Sequence, residues 1–452
     1  IPETSPGLQM IFDQGHEIGR LAHQRFPGGT LISEGHEHLE EALTATQKAL
    51  DQGVKILYEP ALLEHSVLVR CDILVANKDG SWDLVEVKGS SEVKDVYLHD
   101  LAIQRYVVEG AGLRVRKSIL MHVDTTYVRE GEIDPKGFFT PADVTEEVAA
   151  LMPEVGKNVE AFLKVAGLRK EPAIDIGPHC DSPYACNFID YCWRHVPEYS
   201  IYDIRSLSGK KIALLRERGI MEITEMPEDF ELSAIQELQV AVARSGKPHI
   251  DRDGIAEGLE DLVYPLHFLD FETINPAIPL YDGMRPFQKI PFQASIHIQK
   301  KPGGPTEHSD FLGDAKSDPR PELALFLENT IGPKGSVVAY NKGFEGTCLK
   351  ELAEAFPKAA KSLLSAKDRL WDVADPFRKG HYLHPAFKGS WSIKYVLPTL
   401  IPDLKYEGLA IANGEDAQVA FFNLTSGKLN SAATKKLRED LQTYCTQDSL
   451  GM

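Results

Sequence analysis

The stretch YPLHFLDFET occupies residues 264–273 and decides the fold class of the C-terminal part of the chain. It is an apolar strand pattern that ends in two acids, Asp270 and Glu272. Because side chains alternate across a strand, both carboxylates project from one face. Placing two like charges among apolar neighbours is costly unless a cation compensates them. The stretch therefore predicts a strand that presents a pair of metal ligands.

The residues that follow continue the pattern of strands alternating with helices. A second strand is predicted at 291–299 and a third apolar run at 336–340, which leads into Glu345 at the start of a helix. Near the end of the chain, Tyr444 and Asp448 lie one helical turn apart on a shared face. This alternation predicts an α/β domain with further acids after its strands.

Each of these pieces has a simpler interpretation when taken alone. Strands with two acids at alternate positions are common, and Glu345 at a helix start also serves as an N-terminal acid that stabilises the helix dipole. Asp372 is a reserve acid, although an aspartate in that setting is more often a helix cap. Taken alone, none of these acids establishes a metal site.

A second acidic pattern occurs in VLVRCDILVANKDGSWDLVEVK, residues 67–88. Two β-rich runs flank a turn, and a three-residue loop that ends at Gly80 places Asp72 opposite Glu86. Glu86 and Lys88 share a face. Carboxylates this close suit Mg²⁺, and the lysine can orient or deprotonate the attacking water. The alternative is the solvated face of an ordinary hairpin with a cross-strand ion pair.

The order of Asp72, Glu86 and Lys88 along the chain resembles that in the RecB branch of the PD-(D/E)XK nucleases. The resemblance implies a helical histidine as a further metal ligand, for which His23 is preferred to His16. It also implies a catalytic glutamine on a helix at 95–110, which is Gln104. Val108 stands where that family carries a tyrosine.

Three of the six cysteines cluster at Cys180, Cys186 and Cys192. In a reducing compartment such a cluster favours a metal over disulfides. Iron–sulfur clusters and structural zinc sites usually have four protein ligands. RecB-like nucleases with a cluster place the fourth cysteine before the nuclease core, so the resemblance implies a [4Fe–4S] cluster whose fourth ligand lies upstream of Ile1. Zn²⁺ with His179 as the fourth ligand is the alternative.

The C-terminal motifs resemble the DEDD exonucleases of the RNase H-like superfamily, in the form with a final Y-x-x-x-D motif. The resemblance assigns Asp270 and Glu272 to the first motif and Glu345, where the family usually has aspartate, to the second. Asp448 is the third, and Tyr444 orients the nucleophilic water. It implies two Mg²⁺ or Mn²⁺ ions about 3.5–4 Å apart and 3′–5′ polarity.

Length, composition and charge limit the number of domains and the classes of protein to be considered. The chain has 452 residues, of which 43% are hydrophobic, and its net charge is −18. This length suggests two to four globular domains, and the acidic balance argues against passive coating of nucleic acid but not against a nuclease. With no run of about 20 apolar residues, no leader and few cysteines, we expect a cytoplasmic protein without a membrane partner.

The whole chain resembles bacterial fusions of these two nuclease types, and residues 390–398 resemble the helix before the last motif. We therefore expect an α/β protein with a PD-(D/E)XK nuclease-like domain and cysteine cluster at 1–197, a helical connector at 198–260 and an RNase H-like mixed-sheet DEDDy domain at 261–452. Within the connector, the polar, turn-rich residues 246–260 predict a linker.

The expected activity is hydrolysis of DNA, with single strands favoured. An RNA exonuclease and a nucleic-acid-binding or scaffold protein with degenerate nuclease folds are the alternatives. The sequence does not indicate a protein partner.

Overall fold

The computed structural model describes residues 4–35 and 37–452. They form two compact units, and each combines helices with mixed sheets, so the predicted α/β class is confirmed at that level. The N-terminal unit comprises Thr4–Gly177 and Asn275–Gln288, and the C-terminal unit comprises Pro178–Ile274 and Lys289–Met452. The cysteine segment and residues 198–260 thus group with the C-terminal unit.

The N-terminal unit is built on a six-stranded sheet with strand order β1-β2-β5-β6-β7-β8. Its elements in chain order are α1 (Pro6–Arg25), β1 (Thr30–Leu31), α2 (Leu39–Asp51), β2 (Ile56–Tyr58), β3 (Ala61–Glu64), β4 (Val67–Arg70), β5 (Ile73–Ala76), β6 (Trp82–Lys88), α3 (Asp95–Gly110), β7 (Val115–Val123), α4 (Pro135–Phe138), β8 (Phe139–Asp143) and α5 (Thr145–Ala166). Strands β6 and β7 are parallel and joined through α3. Helices α2, α3 and α5 pack against residues such as Leu74 and Leu84, and α1 packs against their neighbours Ile73 and Val85. Because successive strand residues face opposite sides, the sheet is covered on both faces.

The predicted hairpin of β5 and β6 forms with the expected register. Ile73 pairs with Val85, and the Asn77 amide donates to the Ser81 carbonyl at 2.7 Å. Gly80 has φ +79°, a backbone conformation that glycine adopts without steric cost. The turn therefore aligns Asp72 with Glu86, as the sequence predicts.

The C-terminal unit contains a five-stranded sheet with strand order β12-β11-β10-β13-β14. Its elements in chain order are α6 (Ile189–Cys192), α7 (Gly209–Glu217), α8 (Ala234–Ser245), β9 (His249–Ile250), α9 (Arg252–Leu259), β10 (Leu266–Ile274), β11 (Ile290–Gln299), β12 (Thr306–Leu312), α10 (Arg320–Ile331), β13 (Val337–Ala339), α11 (Gly343–Ala355), α12 (Ala360–Asp368), β14 (Leu370–Asp372), α13 (Asp375–Arg378), β15 (Tyr382–Leu383), α14 (Ile393–Leu400), α15 (Gly414–Thr425) and α16 (Ser431–Gly451), with short 3₁₀ helices at Pro178–Cys180, Ile201–Asp203, Ile223–Glu225 and Pro385–Phe387. The central strand, β10, is antiparallel to β11 and parallel to β13. In the described residues, no helix combines the length and apolar character needed to cross a bilayer.

The two faces of β10 have different roles. Leu269 and Phe271 pack into an apolar core with α10, α11 and α12. Asp270 and Glu272 project from the opposite face, which α16 covers. The buried Gln293 side chain on β11 anchors that helix by donating to the Leu441 carbonyl at 2.9 Å. Helix α16 is thereby held over the acidic face of the strand.

The linker predicted at 246–260 is instead folded. Strand β9 pairs with β15, with His249 opposite Leu383. The Asp251 side chain caps α9 by accepting from the Gly254 amide at 3.0 Å, and it also contacts His381 Nδ1 at 2.7 Å. Asp251, one of the polar residues that suggested a linker, is thus a helix cap, which is a common role of aspartate.

A pair of buried aromatic rings, one on α15 and one on β11, packs α15 against the sheet. Phe421 and Phe292 are fully buried and stacked, with ring centroids 4.1 Å apart.

We predict that Phe421→Ala lowers the free energy of unfolding by about 3–5 kcal/mol in urea titrations, because it leaves a cavity. Phe162→Ala on α5 is the control, since that ring is 66% exposed, and its expected effect is within about 0.5 kcal/mol. Equal effects of the two substitutions would contradict the packing described.

Candidate metal centre

Three carboxylates converge on the acidic face of β10. Asp270, Glu272 and Asp448 each place one carboxylate oxygen within 4.8 Å of the others. In the part of the chain that the structure describes, this is the one group of three or more His, Cys, Asp or Glu side chains whose ligand atoms lie so close together. Two of these acids come from the strand and the third from α16, about 180 residues later in the chain.

Contacts between α16 and β11 determine where Asp448 lies. Ser449 Oγ is 2.6 Å from Ser295 Oγ and 2.9 Å from His297 Nδ1, and all three side chains are buried. Ser295 pairs with Asp270 across the strands. The residue next to Asp448 is therefore hydrogen-bonded to the partner strand of Asp270, which brings the two acids together.

Burial and mutual repulsion make these carboxylates hard to ionise. Burial raises the pKa of Asp270 well above its usual value, and the Asp448 and Glu272 carboxylates raise it further. Burial also raises the pKa of Glu272 to about 8. It raises the pKa of Asp448 as well, although the Lys394 cation opposes that shift. Without a cation, the cluster is expected to retain protons at neutral pH.

Glu345, the fourth predicted acid, lies in the first turn of α11. It is buried, and its Oε2 atom makes no hydrogen bond. Burial raises its pKa to about 8, and its charge raises those of Asp270 and Glu272. It is outside the group of three that converges within 4.8 Å. A buried carboxylate oxygen without a hydrogen-bond partner, near the other acids, suits a further cation ligand.

Two residues of the centre, Lys394 and Tyr406, were not predicted as site residues. Lys394 Nζ donates to Tyr444 Oη at 3.0 Å and lies 3.7 Å from Asp448 Oδ1. The Tyr406 hydroxyl donates to the same Asp448 oxygen. Lys394 lies in the segment at 390–398 that the sequence analysis singled out as a helix, whereas Tyr406 lies between helices, where no periodicity signals a role.

The reserve acid, Asp372, serves as a structural cap. Its Oδ1 atom accepts from the Asn341 amide at 2.8 Å and the Ala374 amide at 3.0 Å, and Arg378 Nη2 lies 3.5 Å from Oδ2. These contacts hold the turn between β13 and α11, since Asn341 adopts a left-handed backbone with φ +67°. Asp372 thus supports the element that positions Glu345.

The hairpin of the N-terminal unit also brings its predicted residues together. Asp72 Oδ2 accepts from the Val87 amide at 2.6 Å. Lys88 Nζ lies 2.6 Å from both Glu86 Oε1 and Asp100 Oδ2. Gln104 Nε2 donates to Glu86 Oε2 at 2.8 Å, which orients that carboxylate. Asp100, which the sequence analysis missed, lies four residues before Gln104 on α3 and therefore on the same helix face.

The charges of this hairpin site partly compensate one another. Burial raises the pKa of Asp72 to about 7, and it raises that of Glu86 well above its usual value. Burial lowers the pKa of Lys88, but Glu86 and Asp100 outweigh it and the net shift is upward. Lys88 is therefore a cation, not a base, in this arrangement.

His23 lies beside the hairpin acids but not among them. Its ring stacks on Tyr58 with centroids 4.2 Å apart, and its Nε2 atom is 4.0 Å from Glu59 Oε1. Burial lowers its pKa, which favours the neutral, ligating form. Among the described residues, His23, Asp72 and Glu86 do not bring three ligand atoms within 4.8 Å.

The three clustered cysteines have different environments. Cys180 is buried, whereas Cys186 and Cys192 are exposed. The Cys186 amide donates to the Cys180 carbonyl at 2.7 Å, which closes the loop between them. In the described residues, the three sulfur atoms do not lie within 4.8 Å of one another.

One family model matches the part of the chain that contains the acids of β10. Residues 267–392 match the model of a domain of unknown function, DUF2779. That range includes Asp270, Glu272 and Glu345, whereas Lys394 and Asp448 lie beyond it.

Two curated relatives are similar over larger parts of the chain. Uncharacterized protein UU173 of Ureaplasma parvum is 26% identical over 292 residues, which are 57% of this chain and 40% of the relative. Uncharacterized protein MG366 of Mycoplasma genitalium is 28% identical over 209 residues, which are 41% of this chain and 30% of the relative. Each match thus spans less than half the length of the relative.

The raised pKa of Glu272 predicts a pH-dependent stability. In buffer with EDTA, the folded protein keeps a proton on Glu272 between its usual pKa of 4.5 and about 8, whereas the unfolded chain loses it, so stability falls as pH rises through that interval. We expect the melting temperature to fall less steeply between about pH 5 and 8 in Glu272→Gln than in the wild type. Glu354→Gln, at an exposed α11 position, is the control and is expected to behave like the wild type. Parallel pH profiles for Glu272→Gln and the wild type would contradict the prediction.

Proposed function

We propose that this protein is a metal-dependent nuclease that hydrolyses phosphodiester bonds of DNA, with its main centre at Asp270, Glu272 and Asp448. The observation that supports this most is the convergence of these carboxylates within 4.8 Å on a buried face. Their all-oxygen donor set suits Mg²⁺ or Mn²⁺, and the buried Glu345 Oε2 atom, which has no hydrogen-bond partner, suits a further ligand. A divalent cation at such a site neutralises phosphate charge and acidifies a bound water.

The protein's own groups would orient the reactants around that centre. Tyr444 is buried one helical turn from Asp448, and its hydroxyl hydrogen-bonds the Asp448 carboxylate, which opposes the upward shift of the pKa of that acid. Its Oη atom thus lies beside the proposed metal ligands, where we propose that it orients the attacking water. A phosphodiester can bind beside these acids only when their negative charge is balanced, because phosphate and carboxylate repel each other. Glu345 is one methylene longer than the aspartate usual in DEDD exonucleases, so α11 must hold its carboxylate farther back.

The finer assignment follows the resemblance to DEDDy exonucleases. We propose 3′–5′ polarity, release of nucleoside 5′-monophosphates and a preference for single-stranded DNA. RNA is the alternative substrate, and a comparison of labelled DNA and RNA strands of one sequence decides between them.

The hairpin of the N-terminal unit supports a second, RecB-like centre. Asp72 and Glu86 are the proposed metal ligands, with His23 as a further one. Gln104 fixes the Glu86 carboxylate, and Asp100 holds Lys88 beside it. Lys88, as a cation, is suited to offset phosphate charge and orient water.

The cysteines at 180, 186 and 192 are proposed to bind a [4Fe–4S] cluster or Zn²⁺. The two exposed thiols leave the site open to a further ligand. Iron, sulfide and zinc contents of protein purified without oxygen distinguish the two metals, and absence of all three overturns the proposal.

We predict that Asp270→Ala abolishes Mn²⁺-dependent release of nucleotides from the 3′ end of labelled single-stranded DNA, because it removes a ligand of the main centre. Any cleavage that depends on Asp72 should persist in this variant, and Asp72→Asn should show the converse. Asp372→Asn is not a suitable control because that residue caps a turn, so exposed Asp253→Asn on α9 is used.

Two outcomes would contradict this proposal. Loss of all activity in either single variant would exclude two independent centres. A wild-type protein that binds DNA but cleaves neither DNA nor RNA with Mn²⁺ would support the scaffold alternative.

A further inference from the structure

One ammonium group lies at the edge of the acidic centre. Lys394 Nζ is 3.0 Å from Tyr444 Oη and 3.7 Å from Asp448 Oδ1. It also lies 3.3 Å from the centroid of the Tyr406 ring and 4.5 Å from that of Tyr444. Two aromatic faces and one carboxylate thus surround this cation, and such faces attract ammonium groups.

The hydrogen bond to Tyr444 has a fixed direction. An ammonium group has donors and no acceptor, so Tyr444 Oη must accept from Lys394. The phenolic proton of Tyr444 therefore points away from Lys394, toward the Asp448 carboxylate, whose pKa the Tyr444 hydrogen bond helps to lower. Tyr406 donates its own proton to Asp448. Lys394 thus prevents the Tyr444 hydroxyl from donating toward it and leaves Asp448 as the acceptor, so both tyrosines donate to Asp448.

The position of Lys394 is itself well defined. Ser392 caps α14 by accepting from the Lys394 amide at 3.4 Å, so the lysine lies in the first turn of the helix. Its side chain is 32% exposed, whereas that of Asp448 is 9% exposed. The ammonium group therefore borders the carboxylates on the solvent side without being sealed among them.

We infer that Lys394 is a positioning residue that sets the donor direction of Tyr444 and competes with the metal for Asp448. The inference deepens the proposed function and rests on it. A cation 3.7 Å from a metal-ligating carboxylate disfavours a second cation there, whereas its hydrogen bond to Tyr444 supports turnover. Lys394 thus weakens metal binding but supports turnover, a combination that a merely structural role does not produce.

The test uses Lys394→Met, which keeps the length of the side chain and removes its charge. We expect Mn²⁺, titrated calorimetrically, to bind about 3- to 10-fold more tightly, because a competing positive charge is gone. We expect kcat for single-stranded DNA to fall at least about 10-fold with KM little changed, as for loss of an interaction made in the transition state. Lys436→Met is the matched control, since that lysine is 68% exposed on α16 and pairs with Asp440.

A double-mutant cycle shows whether Lys394 acts through Tyr444. In the Tyr444→Phe background, Lys394→Met should lower kcat little further, because the hydroxyl that it orients is already absent. Lys394→Arg, which retains the charge, should recover part of the activity. A Lys394→Met effect that persists undiminished in Tyr444→Phe, or that raises KM, would indicate direct contact with substrate and overturn the inference.

The metal titration decides the other half of the inference without any activity. Weaker or unchanged Mn²⁺ binding by a folded Lys394→Met protein overturns the competition with metal. A wild-type protein that binds Mn²⁺ but cleaves no nucleic acid overturns the proposed function instead, while tighter binding by Lys394→Met still supports the competition.

Discussion

Buried negative charge is the constraint around which the C-terminal unit is organised. One face of β10 is apolar and packs against three helices, and the other presents Asp270 and Glu272 to α16, which adds Asp448. Carboxylates in such a setting are stable only when protons or cations balance them. The contacts of Gln293 and Ser295 with α16 keep the acids together despite their repulsion. The fold thus maintains a site that a divalent cation would stabilise.

The two units balance their buried negative charge differently. In the N-terminal unit, Lys88 lies 2.6 Å from both Glu86 and Asp100, so a side chain supplies much of the balancing charge. In the C-terminal unit, Lys394 approaches Asp448 only to 3.7 Å and donates to Tyr444 instead. More of the charge there is left for protons or a metal to balance, which is why the β10 centre is the stronger candidate for a metal site.

Residues that support the site have the same chemistry as the residues proposed to work in it. Asp372 accepts two backbone amides and holds the turn before α11, although its position in the sequence also suited a metal ligand. Asp251 caps α9 in a segment whose composition predicted a linker. Short acidic side chains compete for backbone amides wherever a helix begins, so composition alone does not separate a cap from a ligand.

The sequence by itself determined the alternation that places Asp270 with Glu272, the turn that aligns Asp72 with Glu86, and the helical spacing of Tyr444 and Asp448. These follow from local periodicity, which depends only on neighbouring residues. Only the tertiary structure decided that Lys394, Tyr406 and Asp100 join these groups and that residues 249–259 fold. Those contacts join residues distant in sequence or without a periodic pattern, and they depend on how helices pack on the sheets, which no local pattern encodes.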